Sequence, residues 1–167
     1  MVTLADLNAM DSNLFVKTLG AIFEDSPQVA AAVAQHRPFT STADLHTQMV
    51  AEIQAWTEEE QQQLIAAHPD LGSRVAMAPA SVAEQTGAGL DRLSAEQLSR
   101  FQQLNQTYRQ RFGFPYVVAV KNHTPESILA DYAQRIHNSP ETEHQRALQE
   151  IFQIARFRLQ ALITLAD

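Results

Sequence analysis

The chain has 167 residues with Lys+Arg 12 against Asp+Glu 19, a formal net charge of −7. It contains no cysteine, which removes thiolate nucleophiles, Fe–S clusters and Cys-ligated zinc and fits a reducing compartment. Apolar residues make up 45% and charged residues 19%, the balance of a folded soluble domain. Only Lys17 and Lys121 are lysines, so a diffuse positive surface for nucleic acid is not expected. No run reaches the 18 or so apolar residues that span a bilayer, and no secretory or peroxisomal signal is seen. The expectation is a cytoplasmic protein with no nucleic-acid or membrane partner. A homodimer is compatible with its Ala- and Leu-bearing helical surfaces.

Alanine occurs 25 times and glutamine 18 times, against five glycines and seven prolines. Good helix formers with few breakers predict an all-α fold: one multi-helix domain over 1–167, with no linker or repeat. In chain order, Leu14, Phe15, Thr18, Leu19 and Ile22 predict a helix from about Asp11 to Phe23. Ser26-Pro27 opens the next as N-cap and first-turn proline, closing before Pro38. Ser41 or Thr42 caps a helix whose face holds Leu45, Met49, Ile53 and Trp56. Thr57 with Glu60 is a capping-box pattern that opens a helix to Ala67.

His68 to Ala80, with Pro69, Gly72 and Pro79, reads as an irregular loop. Ser81 with Glu84 reads as a second box opening a short helix to about Gly87. Ser94 with Gln97 opens a helix from Ala95 to Phe112 that stops at Gly113. The apolar, β-branched stretch Tyr116-Val117-Val118-Ala119-Val120 follows Pro115 and has no evident pairing strand. It reads as extended backbone crossing the core. Thr124-Pro125 and Ser139-Pro140 open the last two helices, the final one running to about Ala166.

Three groups could carry chemistry. Arg158 falls within about 20° of Ile151 and Leu165 on the apolar stripe of the last helix, whereas Arg156 points to solvent. A guanidinium there needs an internal acid, several carbonyls or an anionic ligand. His68-Pro69 follows an apolar helix and opens a glycine-containing loop, and an imidazole titrating near neutrality can move a proton. The other five histidines stand among polar neighbours and turn signals. Ser81 and Glu84 can cap one another, or present polar groups to a ligand at a helix N-terminus. No HExxH, GxSxG, Walker or dinucleotide pattern occurs, so no metal or cofactor is expected.

Several pieces recur together: His68-Pro69-Asp70-Leu71-Gly72, Ser81-xx-Glu84-Gln85 with Ala88-Gly89-Leu90, and Leu104-Asn105-xx-Tyr108. They continue with Arg111-Phe112-Gly113-Phe114-Pro115-Tyr116, Ile128-Leu129, Arg135, Asn138, Ala147-Leu148-xx-Ile151 and Arg158-Leu159. In this order and combination the chain resembles the decarboxylases of 2-oxo-4-hydroxy-4-carboxy-5-ureidoimidazoline (OHCU), which form (S)-allantoin and CO2 in urate breakdown. The resemblance implies an all-helical, cofactor-free lyase acting on a small ureidoimidazoline. It casts His68 as the catalytic histidine, with Glu84 and Arg158 as catalytic partners. Pro69 then lies beside the ligand, Ser81 and Gln85 form a polar wall, and Tyr116, Val117, Val118, Ala119 and Val120 lend main-chain groups. Tyr116 replaces a more usual apolar aromatic, and the 68–81 loop is shorter than in animal members. The missing peroxisomal address points to a bacterial-type member. Two rivals stand beside this reading. One is a hydrolase or tautomerase on a related urate intermediate. The other is a non-catalytic helical binding protein, expected to show Arg158 paired by an internal acid, His68 exposed and no pocket between them.

Overall fold

Helix boundaries in the computed structural model follow the local chemistry of caps and prolines, and the structure describes residues 2–73 and 79–164. Among the described residues the fold is all-α apart from one short strand pair. The elements are β1 (Val2–Thr3), α1 (Leu4–Ala9), α2 (Ser12–Leu19), α3 (Pro27–Val33), α4 (Thr42–Gln54) and α5 (Glu58–Ala66). They continue with α6 (Pro79–Gly87), α7 (Ala95–Phe112), α8 (Pro125–Arg135), α9 (Pro140–Leu162) and β2 (Ile163–Thr164). Contacts group the chain into two units, Met1–Leu64 with Phe152–Asp167, and Ile65–Ile151.

In the first unit α3 packs on both α2 and α4. Its core is apolar at the spacing expected of helical faces: Phe15 and Leu19, Val29 and Val33, then Leu45, Met49 and Ile53, all essentially solvent-free. Asp11 caps α2 through Leu14 N–H, and Ser41, not Thr42, caps α4 through Asp44 N–H at 3.0 Å. The Thr57–Glu60 box is present, with reciprocal bonds of 2.8 and 3.3 Å. The first helix is shorter than its periodicity suggests, ending at Leu19, because Gly20 starts a turn that runs to Pro27. A separate helix, α1, precedes it, held by a Thr3–Asp6 capping box. Ser26 does not cap α3; its hydroxyl instead donates to the Glu24 carbonyl at 2.8 Å.

In the second unit α7 begins with the Ser94–Gln97 box and ends at Gly113, whose φ of 79° is the left-handed conformation that glycine adopts without strain. Thr124 caps α8, and Pro125 occupies its first turn. α8 packs on α7. The final helix stops at Leu162, not Ala166, since Ile163–Thr164 pairs in parallel with Val2–Thr3. Leu165 of the stripe lies outside the described residues. No described helix is long and apolar enough to cross a membrane.

Candidate active site

The segment bearing His68 is fixed by backbone contacts. His68 N–H donates to Ile65 C=O at 3.2 Å as α5 ends, and Pro69, lacking an N–H, cannot extend the helix. Four residues on, Gly72 has φ +68°, and a Cβ there would come within 3.0 Å of Leu93. Three side chains from α6 and α7 then hold the turn. Gln85 Oε1 accepts from Gly72 N–H at 3.0 Å, while its Nε2 donates to Asp70 C=O at 3.4 Å. Asn105 Nδ2 donates to Leu71 C=O at 3.0 Å. Arg109 donates to Asp70 Oδ1 from Nε at 3.0 Å and lies 2.9 Å away through Nη2. That ion pair is partly exposed and contributes modestly; the two buried amides do more to define the loop. His68 itself is 5% exposed, so it is an interior imidazole rather than a surface one.

Ser81, Glu84 and Gln85 sit at i, i+3 and i+4 of α6 and share one face. Ser81 and Gln85 are buried and Glu84 half-buried. The expectation that Ser81 and Glu84 cap the helix is corrected: α6 starts at Pro79, so Ser81 already lies inside the first turn. The fixed φ of proline suits that first position and moves the boundary two residues upstream of the box pattern. α6 packs against the 3-10 turn Val120–Asn122, which ends the extended segment. The HP loop, the polar face of α6 and the end of the segment are therefore brought together within one unit. A hollow of about 690 Å³ adjoins the loop, lined by Gly72, Gln102, Asn105 and Arg109 among others, and none of the expected site residues is in its lining.

The extended backbone covers Pro115–Ala119, with Val120 already in the turn. A buried network holds it. Arg135 Nη1 donates to Val117 C=O at 2.7 Å, and its Nε donates to Glu143 Oε1 at 2.5 Å. Glu143 also accepts from the Tyr108 hydroxyl at 2.7 Å and from Asn138 Nδ2 at 2.9 Å. The Arg135 guanidinium lies 4.4 Å from the centre of the Tyr116 ring, whose hydroxyl donates to Asp131 at 2.5 Å. Burial, then the accepting carboxylates, push the Tyr108 and Tyr116 hydroxyls far above the usual phenol range, so both remain donors. Burial alone works against the Arg135 charge, and the fully buried Glu143 carboxylate against which it lies sustains it. Ala119 N–H donates to Glu150 Oε2 at 2.9 Å. Neither the N–H nor the C=O of buried Val118 bonds to another described residue.

In the first unit, Arg158 occupies the predicted interior position and Arg156 is exposed. Arg158 pairs with Glu24, Nη1 and Nη2 both lying 3.1 Å from Oε2. The internal acid is thus present, one mark of the non-catalytic rival, whereas its exposed His68 is not found. Glu24 escaped the sequence reading because it sits in a turn, where no periodicity marks burial. Glu143 and His144 also escaped. Glu143 lies four residues before Ala147 on the α9 stripe, and that spacing could have flagged it. His144, buried against the edge of Phe114, was grouped with the polar histidines.

The sequence profile of the family described as OHCU decarboxylase matches residues 8–160. A 2-oxo-4-hydroxy-4-carboxy-5-ureidoimidazoline decarboxylase of Haloferax volcanii is 46% identical over 158 residues, which are 95% of this chain and 94% of that one. The uric acid degradation bifunctional protein PucL of Bacillus subtilis is 44% identical over 164 residues, 98% of this chain and 33% of the longer protein. Among solved structures, that of an (S)-allantoin synthase superposes with a TM-score of 0.83 at 30% identity, covering all of this chain and 56% of the other.

Proposed function

The chain belongs to the OHCU decarboxylase family, and from that premise we propose how its residues carry out the reaction. It is a carboxy-lyase of urate degradation, removing CO2 from 2-oxo-4-hydroxy-4-carboxy-5-ureidoimidazoline. The substrate bears its carboxylate and a hydroxyl on one ring carbon, beside a ring C=N. As the bond to CO2 breaks, its electron pair moves toward that C=N, the ring nitrogen takes a proton, and an enol remains. The enol oxygen then loses its proton while the neighbouring ring carbon gains one, giving allantoin. The substrate supplies its own electron sink, so the protein's work is orientation, desolvation and proton placement, without a cofactor.

His68 handles the proton of the hydroxyl or of the developing ring nitrogen. Glu84 bonds to ureido or ring N–H groups and steers the protonation toward (S)-allantoin. Arg158 donates to a ring or ureido carbonyl as negative charge develops there. Pro69 borders the ligand, Ser81 and Gln85 contribute polar groups, and the backbone of residues 116–120 reads amide-like edges. Residues 1–167 act as one such domain. The observation that supports the reading is that the turn after buried His68 bonds to Gln85 of α6, which packs against the end of a main-chain segment whose Val118 groups bond to no other described residue. Buried main-chain polar groups are nearly always paired, and a ligand with amide-like edges suits Val118.

The test is to give the purified protein freshly made substrate and follow substrate loss together with CO2. One CO2 released per substrate consumed is expected. Consumption without CO2 marks a hydrolase or tautomerase, and no consumption marks a binding protein.

A further inference from the structure

The partner of Arg158 is informative about which substrate group that residue addresses. Glu24 is 3% exposed and Arg158 9%. The carboxylate takes both guanidinium nitrogens on one oxygen, and Nη1 also reaches the carbonyl oxygens of Ala21 and Ile22 at 3.3 and 3.4 Å. Ala21, Ile22 and Glu24 lie in the same turn between α2 and α3, so that turn holds the head of Arg158 from three atoms. A buried pair of this kind is weak evidence of a need for stability, because apolar residues of similar volume often serve as well. Its electrostatic consequence is definite. The net charge of the guanidinium is compensated, while its N–H groups stay strong, directional donors.

We propose that Glu24 is a positioning and charge-compensating residue, which makes Arg158 select a neutral carbonyl oxygen of the ureidoimidazoline over its carboxylate; this rests on the reading of Arg158 as a substrate-binding group. The substrate offers both kinds of acceptor. An uncompensated guanidinium prefers the carboxylate, with which it forms charge-assisted, two-pronged bonds. That preference opposes catalysis. The carboxylate is fully charged in the ground state and loses its charge as CO2 departs, so a bond to it is weaker in the transition state and slows the reaction. Donors directed at a carbonyl that gains charge act in the opposite sense. Glu24 removes the net charge that draws the carboxylate and, with the two carbonyls, fixes the fork in place.

Glu24→Gln tests this, because glutamine keeps the size and one oxygen acceptor but lacks the charge. The readouts are kcat and KM for the decarboxylation, and competitive inhibition by two probes, neutral allantoin and its ring-opened carboxylate allantoate. The variant is expected to lose about tenfold in kcat with KM unchanged or lower. Its inhibition ratio is expected to shift about tenfold toward allantoate, the scale of one strong polar contact. Placed on Arg158→Lys, the same change is expected to add less than about twofold, since two residues acting through one contact do not add. An unaltered inhibition ratio, or a normal kcat in Glu24→Gln beside a slow Arg158→Lys, overturns the proposal alone. Wild-type turnover in Arg158→Lys overturns the reading of Arg158 and the proposal with it. Should Glu24→Gln fail to fold, Glu24→Asp takes its place. It keeps the charge and should retain the preference for allantoin, and a shift toward allantoate contradicts the assignment.

Discussion

His68→Asn is expected to lower kcat by about 10²- to 10⁴-fold, the range for removing a positioned general acid–base group, while the protein keeps its helical content and melting temperature. Asparagine offers a polar side chain of related reach but no group that titrates near neutrality. The substitution leaves the main-chain bond from residue 68 to Ile65 C=O in place, along with the three side-chain attachments of the turn that follows. Loss of activity then reports on the imidazole and not on a displaced loop. Circular dichroism and a thermal melt alongside steady-state turnover make the separation. Wild-type kcat in a folded variant removes His68 from the mechanism.

Glu143→Ala is expected to produce the largest loss of stability, about 3–5 kcal/mol, because it strips a buried guanidinium of its fully buried carboxylate and leaves it only the longer contact to Asp131 at 3.4 Å. Glu143 is fully buried and serves Arg135, Tyr108 and Asn138 at once. In a chain of this length the melting temperature should fall by roughly 2–4 °C for each kcal/mol. Urea unfolding of the single variant and of the pair Arg135→Met with Glu143→Leu tests the cause. With both charges gone, no buried ion is stranded, so the double variant should be more stable than Glu143→Ala. Its segment 116–120 nevertheless lacks the Arg135 bond to Val117 C=O, and KM should rise. A double variant as unstable as the single one shows that packing, not the stranded charge, sets the loss.

The local code was readable and the long-range partners were not. Thr57–Glu60, Ser94–Gln97 and Thr124-Pro125 each contain their whole explanation within four residues, and the structure places a cap at each. The interior position of Arg158 followed from periodicity over two turns of one helix. Its partner Glu24 is 134 residues away in a turn, where no repeating pattern signals burial. The pairing of Val2 with Ile163 joins two-residue strands from opposite ends of the chain, too short for alternation to register. At α6 a box-like Ser81–Glu84 spacing competed with Pro79, and the proline set the boundary. The roles proposed for His68 and Glu84 came from the combination of motifs and not from any one of them. Asn105 and Arg135 stand among the quoted motifs and Glu143 on the α9 stripe, but what they tie down, the HP loop and the extended segment, became legible only through their contacts.

Stereospecific loss of CO2 under the control of this protein is the central claim, and the optical activity of fresh product tests it most directly. With the reaction run in D2O and followed by circular dichroism, the account predicts (S)-allantoin carrying one deuterium on its ring carbon, appearing in step with CO2. Racemic allantoin at every protein concentration contradicts it, because the last proton is then delivered by solvent to both faces.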